Sequence, residues 1–183
     1  MPQLQQFTGD TLPEHFGWQI HDFVRIHWFD IFAYEKEADV HPAMWHPTYF
    51  IVNEQRALYS VATAVWQDIT VNGETYRTHG LSGVLTYPAF RKKGYGQQVV
   101  TAATDFIKQQ AGADLAILWT GSNLETFYNR SGWEYPQAFT VTTGEPENPE
   151  IGEFPMLLYL SDRGRALRES LAGKSLYFGP YYW

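Results

Sequence analysis

The chain has 183 residues, enough for one domain with a substantial core, and its 44% hydrophobic and 18% charged content is that of an ordinary globular protein. A net charge of −7 argues against nucleic acid, which needs clustered Lys and Arg, and favours a small cationic molecule, although acidity of this size also serves solubility. The absence of cysteine excludes disulfides, thiolate metal sites and a Cys nucleophile, and with no signal peptide and no apolar run near the ~20 residues that span a bilayer, a cytoplasmic protein without a membrane partner is expected.

Residues 13–36 carry a helical pattern, with Phe16, Ile20, Phe23, His27 and Ile31 at three- and four-residue steps. His41 to Pro47 reads as a loop, because its two prolines forbid a regular helix. Strands are predicted at 48–54 and 57–68, turning at Glu54-Gln55. Asn72-Gly73 then forms a tight hairpin into a strand near 75–87, since those residue types accept positive φ. Past Pro88 the period changes, and 94–111 reads as a helix with Val99, Ala103, Phe106 and Ile107 on one face, stopped by Gly112. Asp114 to Trp119 is an unbroken apolar run, as in a strand covered on both faces. Ser122 and Glu125 have the spacing of a capping box for a helix ending at Gly132. Strands near 133–142 and 154–160 flank a Pro/Gly/Glu-rich loop at 144–153. A short helix near 162–172 and an aromatic tail, Tyr177 to Trp183, complete what reads as one domain over 1–183.

The chemically informative stretch is 81–133. Arg91-Lys92-Lys93 runs into Gly94-Tyr95-Gly96 where a helix is predicted to start. Free N–H groups and the dipole at a helix N-terminus attract anions, and glycine lets the main chain approach a diphosphate closely. By itself such a turn is often only a solvated corner. Other chemistries find no support. His15, His21 and His27 are six apart and fall on different helix faces, so no metal site is expected. There is no Gly-x-Ser-x-Gly elbow, and the Gly-x-Gly lacks the third glycine and the downstream acid of a dinucleotide site. Glu145, Glu147, Glu150 and Glu153 read as a solvated edge.

The order of these features resembles the GNAT superfamily of N-acetyltransferases. That family has a strand followed by Arg/Gln-x-x-Gly-x-Gly/Ala, matched here by Gly83 to Gly96, then a buried strand, an Asn, a Phe-Tyr and a Gly-aromatic pair. Leu115–Trp119, Asn123, Phe127-Tyr128 and Gly132-Trp133 supply the second half. The resemblance implies a mixed α/β fold: a twisted six- or seven-stranded sheet with helices on both faces and splayed fourth and fifth strands. It implies acetyl-CoA as co-substrate, with the pantetheine arm against Val84, Leu85 and Thr86. The diphosphate would lie on amides from Arg91, Lys92, Lys93, Gly94, Tyr95 and Gly96, with Asn123 touching the cofactor and Tyr128 protonating the departing thiolate, for which a phenol is chemically suited.

A weaker likeness is to the aminoglycoside 2′-N-acetyltransferases, carried by Val65–Gly73, Phe127–Trp133 and a chain ending in Trp. There the acceptor lies in an acidic pocket helped by the C-terminal carboxylate, here that of Trp183. Glu35, Glu37 and Asp39 fall where such folds build the acceptor site, so Glu37 and Asp39 are candidate contacts to a cationic amine. One departure stands out. Those enzymes place a Glu just before the Gly-Val of the fourth strand as a base working through water, and this chain has Ser82. Serine positions a water but takes up no proton at neutral pH. His79, the nearest histidine, is the candidate base; otherwise the amine arrives neutral. A longer acyl donor, a protein or peptide acceptor, and an acyl-CoA sensor without turnover are the rival functions. The aromatic tail either closes the pocket or pairs two copies in a homodimer.

Overall fold

The structure, a computed structural model, describes residues 1–29, 40–180 and 183. Its frame is a six-stranded sheet in the order β1-β2-β3-β4-β5-β8: β1 (Gln3–Thr8), β2 (Thr48–Glu54), β3 (Ala57–Val71), β4 (Glu74–Thr86), β5 (Leu115–Thr120) and β8 (Phe154–Tyr159). Every pairing is antiparallel except β4 with β5. Asn72 and Gly73 take φ of 53° and 82°, the backbone a two-residue hairpin requires, so the long β3 and β4 stay paired almost end to end.

Alternation along the strands sends side chains to two faces. On one lies helix α2 (Tyr95–Lys108), whose Val99, Val100, Ala103 and Ile107 pack on Phe50, Val52, Ala62, Ala64, Leu81, Ala116 and Leu118. On the other, helix α1 (Glu14–His27) buries Phe16, Ile20, Phe23 and Val24 against Tyr49, Ile51, Val61 and Leu85. Further along that second face, a small sheet of β6 (Thr140–Thr143), β7 (Glu150–Ile151) and β9 (Ser175–Gly179), with helix α4 (Asp162–Ser170), covers Ile69, Val71, Leu115 and Ile117. Helices therefore flank the sheet on both faces, as the resemblance implies. A one-turn helix, α3 (Glu125–Asn129), follows β5.

Several local expectations are corrected. In α1 it is Val24 that completes the buried stripe, and His27 is exposed; Ile31 lies outside the described residues. Segment 133–142 is no continuous strand: Glu134 makes a single bridge to Leu157, and regular pairing begins at Thr140. The predicted loop at 144–153 holds β7. The polar β1, Gln-Leu-Gln-Gln-Phe-Thr, has no core-facing alternation to announce it and forms an edge strand. Ser122 to Leu124 makes a 3-10 turn, and neither it nor α3 has a side-chain cap, so the capping box does not form. The start of the aromatic tail is not exposed either: Phe178 is buried in the small sheet, and the Tyr177 hydroxyl donates to the Gly144 carbonyl at 2.7 Å, while Tyr181 and Tyr182 lie outside the described residues.

Trp133, wholly buried, anchors α2 by donating its indole N–H to the Thr104 hydroxyl at 2.9 Å. Trp133→Phe empties part of that site and leaves the hydroxyl without its partner. A loss of about 2 kcal/mol in unfolding free energy is expected in urea, and a midpoint unchanged from the parent would contradict this anchoring role.

Candidate active site

The centre of the sheet comes apart where β4 leaves β5. The two are parallel partners only at Thr78–Leu115, His79–Ala116 and Gly80–Ile117. Both continue beyond, β4 to Thr86 and β5 to Thr120, but β5 keeps only its other neighbour, β8. On the far side of β4 the register with β3 slips between Val61 and Thr63, opposite Ser82 to Leu85, and Gly83 sits at φ +55°. A bulge bends its strand, and here it carries β4 away from β5. The edge of β4 facing the gap consequently runs past Val84, Leu85 and Thr86 without a strand partner on that side.

Beyond Thr86 the chain turns through Pro88–Phe90 and reaches Gly94, whose φ of +85° caps α2. The first backbone bond of the helix runs from Gln98 N–H to the Gly94 carbonyl at 3.0 Å, so the amides of Tyr95, Gly96 and Gln97 have no intrahelical acceptor and point out of the helix start. The Arg91 guanidinium is pinned back to the Thr86 carbonyl at 3.0 Å, and Lys92 adopts φ 60°. The gap and this turn open into one cleft of about 790 Å³. It is lined by Val84, Leu85 and Thr86, by Arg91, Lys92, Gly94, Tyr95 and Gly96, and by Tyr128 across from them.

Eight of the ten expected cofactor residues are thus brought together. Lys93 is not among the lining residues; its ammonium stands 5.5 Å from the Phe90 ring. Asn123 is exposed on the turn before α3, and Leu124, Phe127 and Arg130 face the cleft instead. His27 and Trp28, at the end of α1, close the opposite rim, a contribution that only packing of α1 on the sheet reveals.

Tyr128 is 6% exposed and lies within the α2-side core. Burial pushes its phenol up to about 12, against the opposing pull of a hydrogen bond with Thr120. Ser82 belongs to the other face, where its Oγ lies 3.1 Å from His41 Nε2. His41 is 4% exposed, and burial lowers its pKa to about 4. His79 is three residues from Ser82 along a regular stretch of β4, so alternation turns it to the α2 face, beside the Trp66 ring at 6.4 Å. The structure therefore does not bring His79 to Ser82. Burial first, and the Arg77 charge second, also bring His79 down to about 4.

Trp183 lies on the Ser82 face. Its indole N–H donates to the Ile117 carbonyl at 3.4 Å, and its ring covers Gly80, where any Cβ would fall within 1.8 Å of the indole nitrogen. Only glycine at 80 allows that seat, and it places Trp183 at the point where β4 and β5 separate. Trp45 meets it edge-on at 6.1 Å. Glu35, Glu37 and Asp39 lie outside the described residues.

A sheet split beside a helix start that presents free amides is the architecture of an acyl-CoA-dependent transferase. The sequence matches the acetyltransferase (GNAT) domain family across residues 19–136, and the chain belongs to that family: it is an acetyltransferase with acetyl-CoA as co-substrate. No curated protein sequence matches it. Among solved structures its fold is similar to Escherichia coli YhbS, a GNAT family N-acetyltransferase crystallised with CoA (TM-score 0.63, 13% identity, 98% of this chain and 89% of that one). Escherichia coli ElaA is similar too (TM-score 0.60, 14% identity, 86% and 99%). So is an acyl-CoA N-acyltransferase from Pseudomonas aeruginosa (TM-score 0.59, 14% identity, 86% and 99%).

Proposed function

We propose that this chain, acting as a single domain over 1–183, moves the acetyl group onto the primary amine of a small cationic molecule by direct attack in a ternary complex. The observation that carries this reading is a gap in the sheet with Tyr128 in its lining on the α2 face and Ser82, two residues past the last β4–β5 pair, on the other face of the sheet. A donor lying in the gap can then be approached from one face while its leaving group exits toward the other.

The residues present fit the co-substrate. The unpartnered edge at Val84, Leu85 and Thr86 suits an amide-bearing arm, and the amides of Tyr95, Gly96 and Gln97 with the side chains of Arg91 and Lys92 suit a diphosphate. Acetyl-CoA supplies a thioester-activated acetyl group. A main-chain amide of β4 near Leu85 steadies the carbonyl oxygen, and Tyr128 gives its proton to the departing sulfur. Ser82 and Trp183 border the side from which the amine enters; Glu37 and Asp39, with an overall charge of −7, favour a cationic acceptor. For Asn123 to touch the cofactor, the turn before α3 has to swing inward.

Gly94→Ala tests the diphosphate cradle. A side chain at φ +85° is strained by about 1–2 kcal/mol, and relief by rotating the turn swings the amides away. The Kd for CoA should rise about tenfold in calorimetry, and an unchanged Kd would sink the cradle. The function itself is tested by thiol release from acetyl-CoA across a panel of diamines, amino sugars and peptides. Release confined to peptides would replace the small-molecule acceptor. Tight CoA binding with no release would favour a sensor.

A further inference from the structure

This chain has Ser82 where the resemblance expects a carboxylate base, and the group that stands behind Ser82 comes from a distant loop. His41 comes from the proline loop before β2, 41 residues away, and its Nε2 meets Ser82 Oγ at 3.1 Å in a buried contact. The ring is wedged against the β4 bulge: a Cβ on Gly83 would stand 3.0 Å from His41 Cε1. From β2, Tyr49 faces the ring edge-on at 5.5 Å. Thr63, paired with Ser82 across β3 and β4, adds a buried hydroxyl with no hydrogen-bond partner among the described residues. Three polar groups have thus been gathered on the second face of the sheet, two residues past the last β4–β5 pair, where apolar packing would cost less.

We propose that Ser82 and His41 form the relay that removes the proton from the acceptor amine, which deepens the acetyltransfer reading above and rests on it. Ser82 keeps 8% of its surface open and His41 half of that, so Ser82 touches the amine and His41 acts through it, as a positioning and proton-holding residue. With the imidazole proton on Nδ1, Nε2 accepts from the Ser82 hydroxyl. As the nitrogen forms its bond to the acetyl carbon, its N–H proton passes to Ser82 Oγ, and the Ser82 proton passes to Nε2. The carbon–sulfur bond breaks, its electron pair goes to sulfur, and Tyr128 supplies the proton that makes the thiol. The balance is one amide, one thiol, an imidazolium at His41 and a phenolate at Tyr128, which solvent resets by one proton given and one taken. Burial keeps His41 neutral at physiological pH, and makes its charged form short-lived. Serine serves here where a solitary serine could not, because an acceptor stands behind it.

Two measurements test the relay. In protein carrying ¹⁵N-labelled histidine, the His41 resonances, assigned by their loss in His41→Gln, should show Nε2 bare and Nδ1 protonated near pH 7; a proton on Nε2 overturns the proposal whatever the acceptor is. In turnover assays, Ser82→Ala and His41→Gln should each lower kcat about a hundredfold near pH 7, with the KM for acetyl-CoA and the Kd for CoA unchanged. The double variant should lose no more than either single one, as expected of a unit. The deficit should narrow to about tenfold above about pH 9.5, where hydroxide takes the N–H proton in the relay's place. A deficit constant with pH, or additive losses, would assign both residues a structural role and sink the relay. Failure of the unaltered protein to bind CoA or release thiol would instead remove the acetyltransfer reading, and the ¹⁵N measurement still decides the tautomer.

Discussion

Tyr128→Phe should lower kcat about a hundredfold or more while leaving the KM for acetyl-CoA close to that of the parent. The variant keeps the ring that packs against Phe127 and the α2-side core and removes only the hydroxyl, so folding and cofactor binding are preserved. General acids of this kind contribute on the order of 10²–10⁴-fold, and a thiolate expelled without a proton donor into a water-poor site is a poor leaving group. The raised phenol pKa, about 12, adds a constraint on the pH profile. Tyr128 stays protonated throughout the neutral and mildly alkaline range, so kcat of the parent should show no fall up to about pH 10 from loss of this proton. Stopped-time thiol release over that range checks both statements. A phenylalanine variant with parental kcat would remove Tyr128 from the mechanism, and the Thr120 hydrogen bond would then serve only to satisfy a buried hydroxyl.

Acidification should destabilise the fold through two buried histidines. His41 and His79 each titrate near 4 in the folded chain against 6.5 for a free imidazole. Between those values the unfolded chain binds protons that the folded chain refuses, so stability rises with pH across this window and falls as pH drops from 6.5 toward 4. The loss for His41 is roughly 3 kcal/mol, at 1.36 kcal/mol per pH unit of displacement; His79 adds to it, and the part of its shift due to the Arg77 charge should weaken with salt. Urea midpoints near pH 7 and near pH 4.5 give the size of the effect, and His41→Gln should flatten much of the slope. A midpoint independent of pH over this range would mean that both imidazoles accept a proton in the folded state, which would also weaken the case for a neutral His41 behind Ser82.

The cofactor side of the site was legible in the sequence because it is local. Thr86, Arg91, Gly94 and Gly96 are held within a dozen residues, and the strand–turn–helix that presents them is built from near-neighbour rules: hairpin glycine, proline after the strand, apolar period in α2. Tyr128 was placed for a similar reason, one turn into a helix that follows a short buried strand. The exceptions are side chains whose direction a motif does not specify. Lys93 and Asn123 stand at the expected positions in the chain, yet Lys93 lies over Phe90 and Asn123 on its own turn, outside the cleft.

The proposed acceptor side was not legible because its members come from distant segments. His41 meets Ser82 across 41 residues, Trp183 meets Ile117 across 66, and neither contact leaves a periodic trace. The choice of His79 went by nearness in sequence, but an odd number of residues along a strand reverses the face, and three steps from Ser82 put that imidazole against Trp66.

Sequence alone therefore determined the class of fold and the order of strands and helices about the glycine turn, since both depend on short-range backbone preference and hydrophobic period. Tertiary structure decided where the sheet opens, that Tyr177 and Phe178 join a second sheet, and which histidine stands behind Ser82. Those outcomes follow from a bulge, a parallel pairing of three residues and side-chain contacts between remote segments, and such contacts exist only once the chain has closed on itself.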